Sequence, residues 1–75
     1  MPQLREALIT ELRKGGPRTS EELVKKLLSS GYAARPEDVR KELASLVREG
    51  LIIKEPSPQR MKFVFKAKPS EQPTQ

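Results

Sequence analysis

The chain has 75 residues, which suits a single small domain. Fifteen Lys and Arg against ten Asp and Glu give it a formal net charge of +5, a balance that favours polyanionic partners such as nucleic acid. It contains neither Cys nor His, which excludes thiol nucleophiles, cysteine metal sites and the commonest proton shuttle. We therefore expect a protein that is not an enzyme and that has no metal, no cofactor and no small-molecule substrate.

The hydrophobic residues, 35% of the chain, come in short periodic clusters. No apolar run approaches the roughly 18 residues of a membrane span, and the N-terminus does not resemble a signal peptide. We therefore expect a cytoplasmic protein that does not contact membranes. The absence of Asn and Cys beside many Lys, Arg and Glu residues leans towards a thermophilic source.

A first helix is predicted over about residues 3–14. Leu4, Leu8 and Leu12 repeat every four residues and so form the apolar stripe of an amphipathic helix. Gly15 and Gly16, followed by a proline, are typical of a helix end.

A second helix is predicted after a short extended segment at residues 17–19. Thr19 followed three residues later by Glu22 fits a capping box, in which each residue satisfies a backbone N–H of the other. Glycine at position 31 ends the helix after about ten residues. Its apolar face is expected to consist of Leu23, Val24, Leu27 and Leu28.

A third helix is predicted to begin at Pro36, because proline is favoured at the first helical position. Glu37 and Asp38 in the first turn suit the positive end of the helix dipole. Gly50 ends the helix. The buried stripe is expected to consist of Val39, Leu43, Leu46 and Val47.

Beyond Gly50 the pattern changes to that of a β-hairpin. Residues 51–55 and 61–67 read as two strands around a five-residue loop that contains two prolines. The second strand alternates, so we expect its two phenylalanines to lie in the core rather than to serve as a base-stacking platform. The domain then covers residues 1–68, and residues 69–75 are expected to be disordered. The face shared by the alternating residues is Met61, Phe63, Phe65 and Ala67.

This order of elements resembles the winged helix-turn-helix family. The resemblance is strongest over residues 39–52, where a helix rich in Leu passes through Gly50, Leu51 and Ile52 into the hairpin. Residues 19–23 resemble the start of the family's second helix. The resemblance implies an α+β fold, a winged helix with a three-helix bundle and a C-terminal β-hairpin wing, in a small stand-alone member of prokaryotic or archaeal type. In DNA-binding members the third helix enters the major groove and the wing reaches the neighbouring backbone.

The predicted function is therefore binding of double-stranded DNA, by a transcriptional regulator or a chromatin-associated, nucleoid-associated factor. The wing segment 54–68 has a charge of +4, from five basic residues and one Glu. Arg60 lies beside two prolines, and we expect that stiff turn to hold its side chain outward. The candidate DNA-binding residues are Arg35, Arg40, Lys41, Ser45, Arg48, Lys54, Arg60 and Lys62.

Other functions remain open at this point. Residues 37–53 have a charge of −1, and Glu37 and Asp38 would repel phosphate at the start of the third helix. These carboxylates favour a winged helix that binds another protein in a replication or transcription complex, and RNA or ribosome association is a third alternative. The basic residues of the third helix also suit a solvated surface, and strand lysines can serve to protect a sheet edge. A homodimer is possible.

Overall fold

The computed structural model of the protein describes residues 4–68. The helices are α1 (Leu4–Gly15), α2 (Ser20–Ser29) and α3 (Pro36–Arg48). They precede an antiparallel hairpin of β1 (Ile52–Ser57) and β2 (Lys62–Ala67), so the layout is α+β. The predicted tail at residues 69–75 lies outside the described residues. None of the described helices has the length and apolar character needed to cross a membrane.

The helix starts follow the local signals in the sequence. The Thr19 hydroxyl accepts a hydrogen bond from the Glu22 backbone N–H at 3.1 Å, and the Thr19 N–H donates to Glu22 Oε1 at 3.0 Å. This reciprocal pair confirms the capping box. Pro36 occupies the first turn of α3, where its missing N–H leaves no helical hydrogen bond unmade.

The core lies where the three helices meet the base of the hairpin. α1 packs against β2, and α3 packs against β1. Leu28 was expected in this core, but its exposure is 62%. It follows Leu27 by about 100° around α2, and this rotation turns its side chain away from the bundle. The fully buried residues that form the core are Leu8, Leu12, Leu23, Leu27, Val39, Leu43, Leu46 and Ile52.

The segment between α1 and α2 is extended, as predicted, and pairs with β2. The Arg18 N–H donates to the Phe65 carbonyl at 3.0 Å, and the Phe65 N–H donates to the Arg18 carbonyl at 2.8 Å. These two bonds fix the outer edge of β2 against the helices. They set which part of the hairpin lies against the core.

The prediction that both phenylalanines of the second strand lie in the core is wrong for Phe63. Phe65 and Ala67 pack against the core, but Phe63 is 53% exposed. Nearer the turn, the opposite face of the strand is the one turned inward: Val64 is only 3% exposed, and Lys62 Nζ lies 3.4 Å from Glu21 Oε2 of α2. Phe63, on the other face, is therefore turned away from α2.

The turn is also shorter than predicted. β1 extends to Ser57, so residues 58–61 form a four-residue connection, closed by a 2.9 Å hydrogen bond from the Met61 N–H to the Ser57 carbonyl. Met61 belongs to this turn rather than to the strand, with a φ of 57° in the left-handed region. Its side chain is 86% exposed, so it adds nothing to the core.

Candidate nucleic-acid interface

A groove of about 300 Å³ lies between the start of α2, one side of α3 and the hairpin. Its walls combine apolar side chains with one cation from each side, Arg40 from α3 and Lys54 from β1. An open groove with an apolar floor and basic walls suits a ligand that carries both flat apolar surface and negative charge. Its lining residues are Ser20, Arg40, Ala44, Val47, Lys54 and Phe65.

The helical and strand periods bring these residues together. Arg40, Ala44 and Val47 follow one another by four and three residues, so they lie along one side of α3. Lys54 is the direct cross-strand partner of Phe65, so both side chains lie on the same face of the hairpin. That face is turned towards α3. We call this space the α3–hairpin groove.

Phe63 continues the same face of the hairpin beyond the groove, towards the turn. The Lys54 ammonium lies 4.6 Å from the centre of the Phe63 ring, which is cation–π distance. The Phe63 ring is half exposed. Among residues 4–68, the cation that lies over this ring is Lys54. Sequence reasoning assigned Phe63 to the core, because alternation alone does not reveal which face of a hairpin the helices cover near its turn.

The other predicted α3 residues lie on or near its outer surface. Lys41 and Arg48 are exposed, and Ser45 is half-buried. Arg35 is exposed at the N-cap of α3, where its side chain makes no capping hydrogen bond. Within residues 4–68, no carboxylate lies within 4 Å of the basic groups of the candidates Arg35, Arg40, Lys41, Arg48 and Lys54.

The opposite flank of α3 is acidic, and Arg5 of α1 neutralises part of it. The Arg5 Nε donates to Glu42 Oε2 at 2.9 Å, and its two terminal nitrogens donate to the two carboxylate oxygens of Glu49. The hydrogen bond from Arg5 holds the pKa of the Glu49 carboxyl below its usual value. Two of the four acidic residues in segment 37–53 are therefore engaged on the α1 side, away from the α3–hairpin groove. No local sequence pattern links Arg5 to residues 37 and 44 positions away.

Two of the predicted wing cations are engaged as well. Arg60 Nε donates to Glu22 Oε2 at 3.1 Å, and Lys62 Nζ lies 3.4 Å from Glu21 Oε2. The expectation that the turn holds Arg60 outward is therefore wrong: its guanidinium folds back onto the first turn of α2. This happens because the capping box leaves the second carboxylate oxygen of Glu22 open towards the hairpin.

These contacts leave both glutamates readily ionised. The hydrogen bond from the Thr19 N–H lowers the pKa of Glu22, and the pair with Arg60 lowers it further. The pKa of Glu21 is lowered by its own backbone N–H and then by Lys62. Two ion pairs thus connect the outer part of the hairpin to the first turn of α2.

The predicted site residues therefore fall into three groups. Arg40 and Lys54 meet at the α3–hairpin groove, and Arg60 and Lys62 pair with glutamates of α2. The remaining four lie on or near the outer surface of α3: Arg35, Lys41, Ser45 and Arg48. Comparison of the chain with models of known protein families, with characterised proteins and with solved structures finds no match. The function proposed below rests on the charges and contacts just described.

Proposed function

We propose that this protein is a winged-helix protein that binds double-stranded DNA, with α3 as the recognition helix and the hairpin as the wing. The observation that carries the proposal is a set of exposed cations with no carboxylate within 4 Å among residues 4–68: Arg40 and Lys54 at the α3–hairpin groove, and Lys41 and Arg48 on the outer surface of α3. Such a surface suits a small transcriptional regulator or a nucleoid-associated factor.

The distribution of charge within α3 supports this proposal more than its net charge does. Glu42 and Glu49 point to Arg5, on the flank opposite Arg40. The charged residues that line the α3–hairpin groove are Arg40 and Lys54, so a phosphate that enters the groove meets cations. On the hairpin, Lys54 is the cation that lines this groove, whereas Arg60, Lys62 and Lys66 are paired with carboxylates.

Binding would begin with phosphate contacts, which release counterions and give affinity without sequence information. Arg40 and Lys54 line the groove through which a backbone could pass. Lys41 and Arg48 are exposed on the outer surface of α3, and in this proposal they contact base edges in the major groove. No group in this mechanism performs covalent chemistry, and we propose a binding protein rather than an enzyme.

The test is a titration of a labelled 20-base-pair duplex at several salt concentrations. We expect Lys41→Ala with Arg48→Ala to weaken binding and to flatten the salt dependence of log K by up to about 1.8, since each phosphate contact contributes about 0.9. If either side chain contacts base edges instead, the preference between duplex sequences falls by about 1–3 kcal/mol.

The matched control is Lys14→Ala with Lys26→Ala, which removes the same charge. Both lysines line a pocket at the C-terminal ends of α1 and α2, whereas the α3–hairpin groove lies at the start of α2. The control variant should keep nearly the wild-type slope. Equal losses of duplex affinity in the two variants would mean that binding depends only on net charge. No binding by the wild type at low salt would refute the proposal.

One observation favours a protein partner as the second candidate. Glu37 and Asp38 are exposed in the first turn of α3 and have no basic partner within 4 Å among residues 4–68. A basic segment of another protein would be attracted there, whereas phosphate would be repelled. Negligible duplex affinity together with specific binding of a basic peptide, lost on Glu37→Gln with Asp38→Asn, would favour this candidate.

A further inference from the structure

The hairpin face that continues the α3–hairpin groove presents an aromatic ring to solvent. We define the aromatic face as Lys54, Phe63 and Phe65. Phe65 is half-buried against the core and lines the groove, whereas Phe63 is 53% exposed beyond it. An apolar ring in this position adds less to the stability of the fold than a core phenylalanine does, because about half of its surface remains in water.

We propose that the aromatic face binds an unpaired base of a DNA strand, by stacking on Phe63, while Lys54 and Arg40 hold the adjoining phosphates. This inference rests on the proposed function and names the preferred form of DNA: a duplex that continues into a single strand. A base inside a duplex is covered on both sides by its neighbours. An unpaired base has a free π surface that an exposed aromatic side chain can cover.

The charges around Phe63 favour a nucleotide over an apolar partner. Lys54 is held over the ring, and Arg40 faces Lys54 across the groove. Glu55, the nearest acidic residue along β1, lies on the opposite face of the hairpin and pairs with Lys66 at 3.3 Å. Within residues 4–68, the aromatic face thus combines an apolar ring with cations that no carboxylate neutralises.

The position of Lys54 over the Phe63 ring is compatible with base stacking. A flexible lysine chain shields the Phe63 ring in the free protein through a cation–π contact on one side. When a base stacks on the ring, the ammonium needs to move only within the reach of its side chain to meet the flanking phosphate. The contact to the ring is then exchanged for a charge-assisted contact to the strand.

The first experiment needs no variant. Wild-type protein is titrated with a blunt duplex, with the same duplex carrying a five-nucleotide thymidine tail, and with the thymidine oligonucleotide alone. Stacking of one base is worth about fivefold to 140-fold in affinity, so we expect tighter binding of the tailed duplex by a factor in that range. Equal affinity for blunt and tailed duplexes would overturn the inference and leave the proposed function standing.

The second experiment removes or replaces the ring. Phe63→Leu keeps apolar bulk and should reduce the ratio of tailed-duplex to blunt-duplex affinity by at least about fivefold, the contribution of one stacked base. Phe63→Tyr keeps the ring and should retain the preference. An undiminished preference in Phe63→Leu would also overturn the inference, because the tail would then be held by charge alone.

The third experiment reports stacking directly. The chain has no Trp, so Phe63→Trp places a single indole in the aromatic face. We expect its fluorescence to be quenched by the tailed duplex and much less by the blunt one. The matched control is Leu28→Trp, at an α2 position of 62% exposure, which should respond to neither. Equal quenching in the two variants would argue against a specific site, and no binding of any DNA would refute the proposed function as well.

Discussion

Neutralising Glu22 tests whether the hairpin cations are restrained by α2. Glu22 plays two parts: one carboxylate oxygen accepts from the Thr19 N–H at 3.0 Å, and the other accepts from Arg60 Nε at 3.1 Å. The change Glu22→Gln keeps an oxygen for the capping box, because glutamine also serves at that position. It removes the negative charge that holds Arg60.

The expected change in stability is small. Loss of a negative charge in the first turn of a helix costs about 0.3–1 kcal/mol. The pair with Arg60 adds little to that figure, because both side chains are more than a third exposed and water screens their attraction. For a domain of this size we expect the Tm, measured by circular dichroism, to fall by about 1–8 °C.

The expected change in DNA binding has the opposite sign. Arg60, once released, can form one more phosphate contact, which steepens the salt dependence of log K by about 0.9. At 0.1 M salt this corresponds to a gain of up to about eightfold in duplex affinity. Fluorescence anisotropy of a labelled duplex at four salt concentrations measures both quantities.

Glu6→Gln is the matched control. Glu6 lies in the first turn of α1, is exposed and has no ion-pair partner among residues 4–68, so its neutralisation changes the net charge equally. If both variants bind DNA with the same slope and affinity, Arg60 is not a restrained phosphate ligand. A Glu22→Gln variant that binds more weakly than wild type would contradict the reasoning altogether.

Three further predictions concern α3, the response to pH and the core. Glu37→Gln with Asp38→Asn should lower the Tm slightly and tighten duplex binding if the start of α3 approaches DNA; unchanged binding would locate that helix end away from the backbone. The pKa values of Glu22 and Glu49 are lowered in the folded state, so their contribution to stability is complete above the unfolded value of about 4.3 and is lost as the pH falls through the folded values. Thermal melts should therefore show a Tm that declines below about pH 4.3, less steeply in Glu22→Gln, and an identical decline in that variant would assign the effect to other groups. Leu43→Ala, at a fully buried position of α3, should reduce the free energy of unfolding in urea by about 2–5 kcal/mol, and a loss below 1 kcal/mol would mean that the core is not packed as described.

The sequence alone was sufficient for the helices and for the existence of the hairpin. These features depend on contacts within a few residues, such as the capping box of Thr19 and Glu22 or Pro36 at the start of α3. Short-range hydrogen bonds, and the spacing of hydrophobic residues in a helix or a strand, depend only on residues that are close in the sequence. The pattern of Leu8 and Leu12 likewise predicts the buried side of α1 without knowledge of its partners.

Only the tertiary structure decided which side chains are available at the candidate site. The alternation of β2 identifies two faces, but the pairing of Arg18 with Phe65 and the position of α2 against the opposite face near the turn decide that Phe65 packs against the core and Phe63 does not. The local sequence says even less about which residues a charged side chain will pair with, because a long side chain can bind any oppositely charged group that the fold brings near. Arg5 therefore meets carboxylates of α3 and Arg60 folds back onto α2, through contacts that span 37 to 44 residues and that no periodic pattern records.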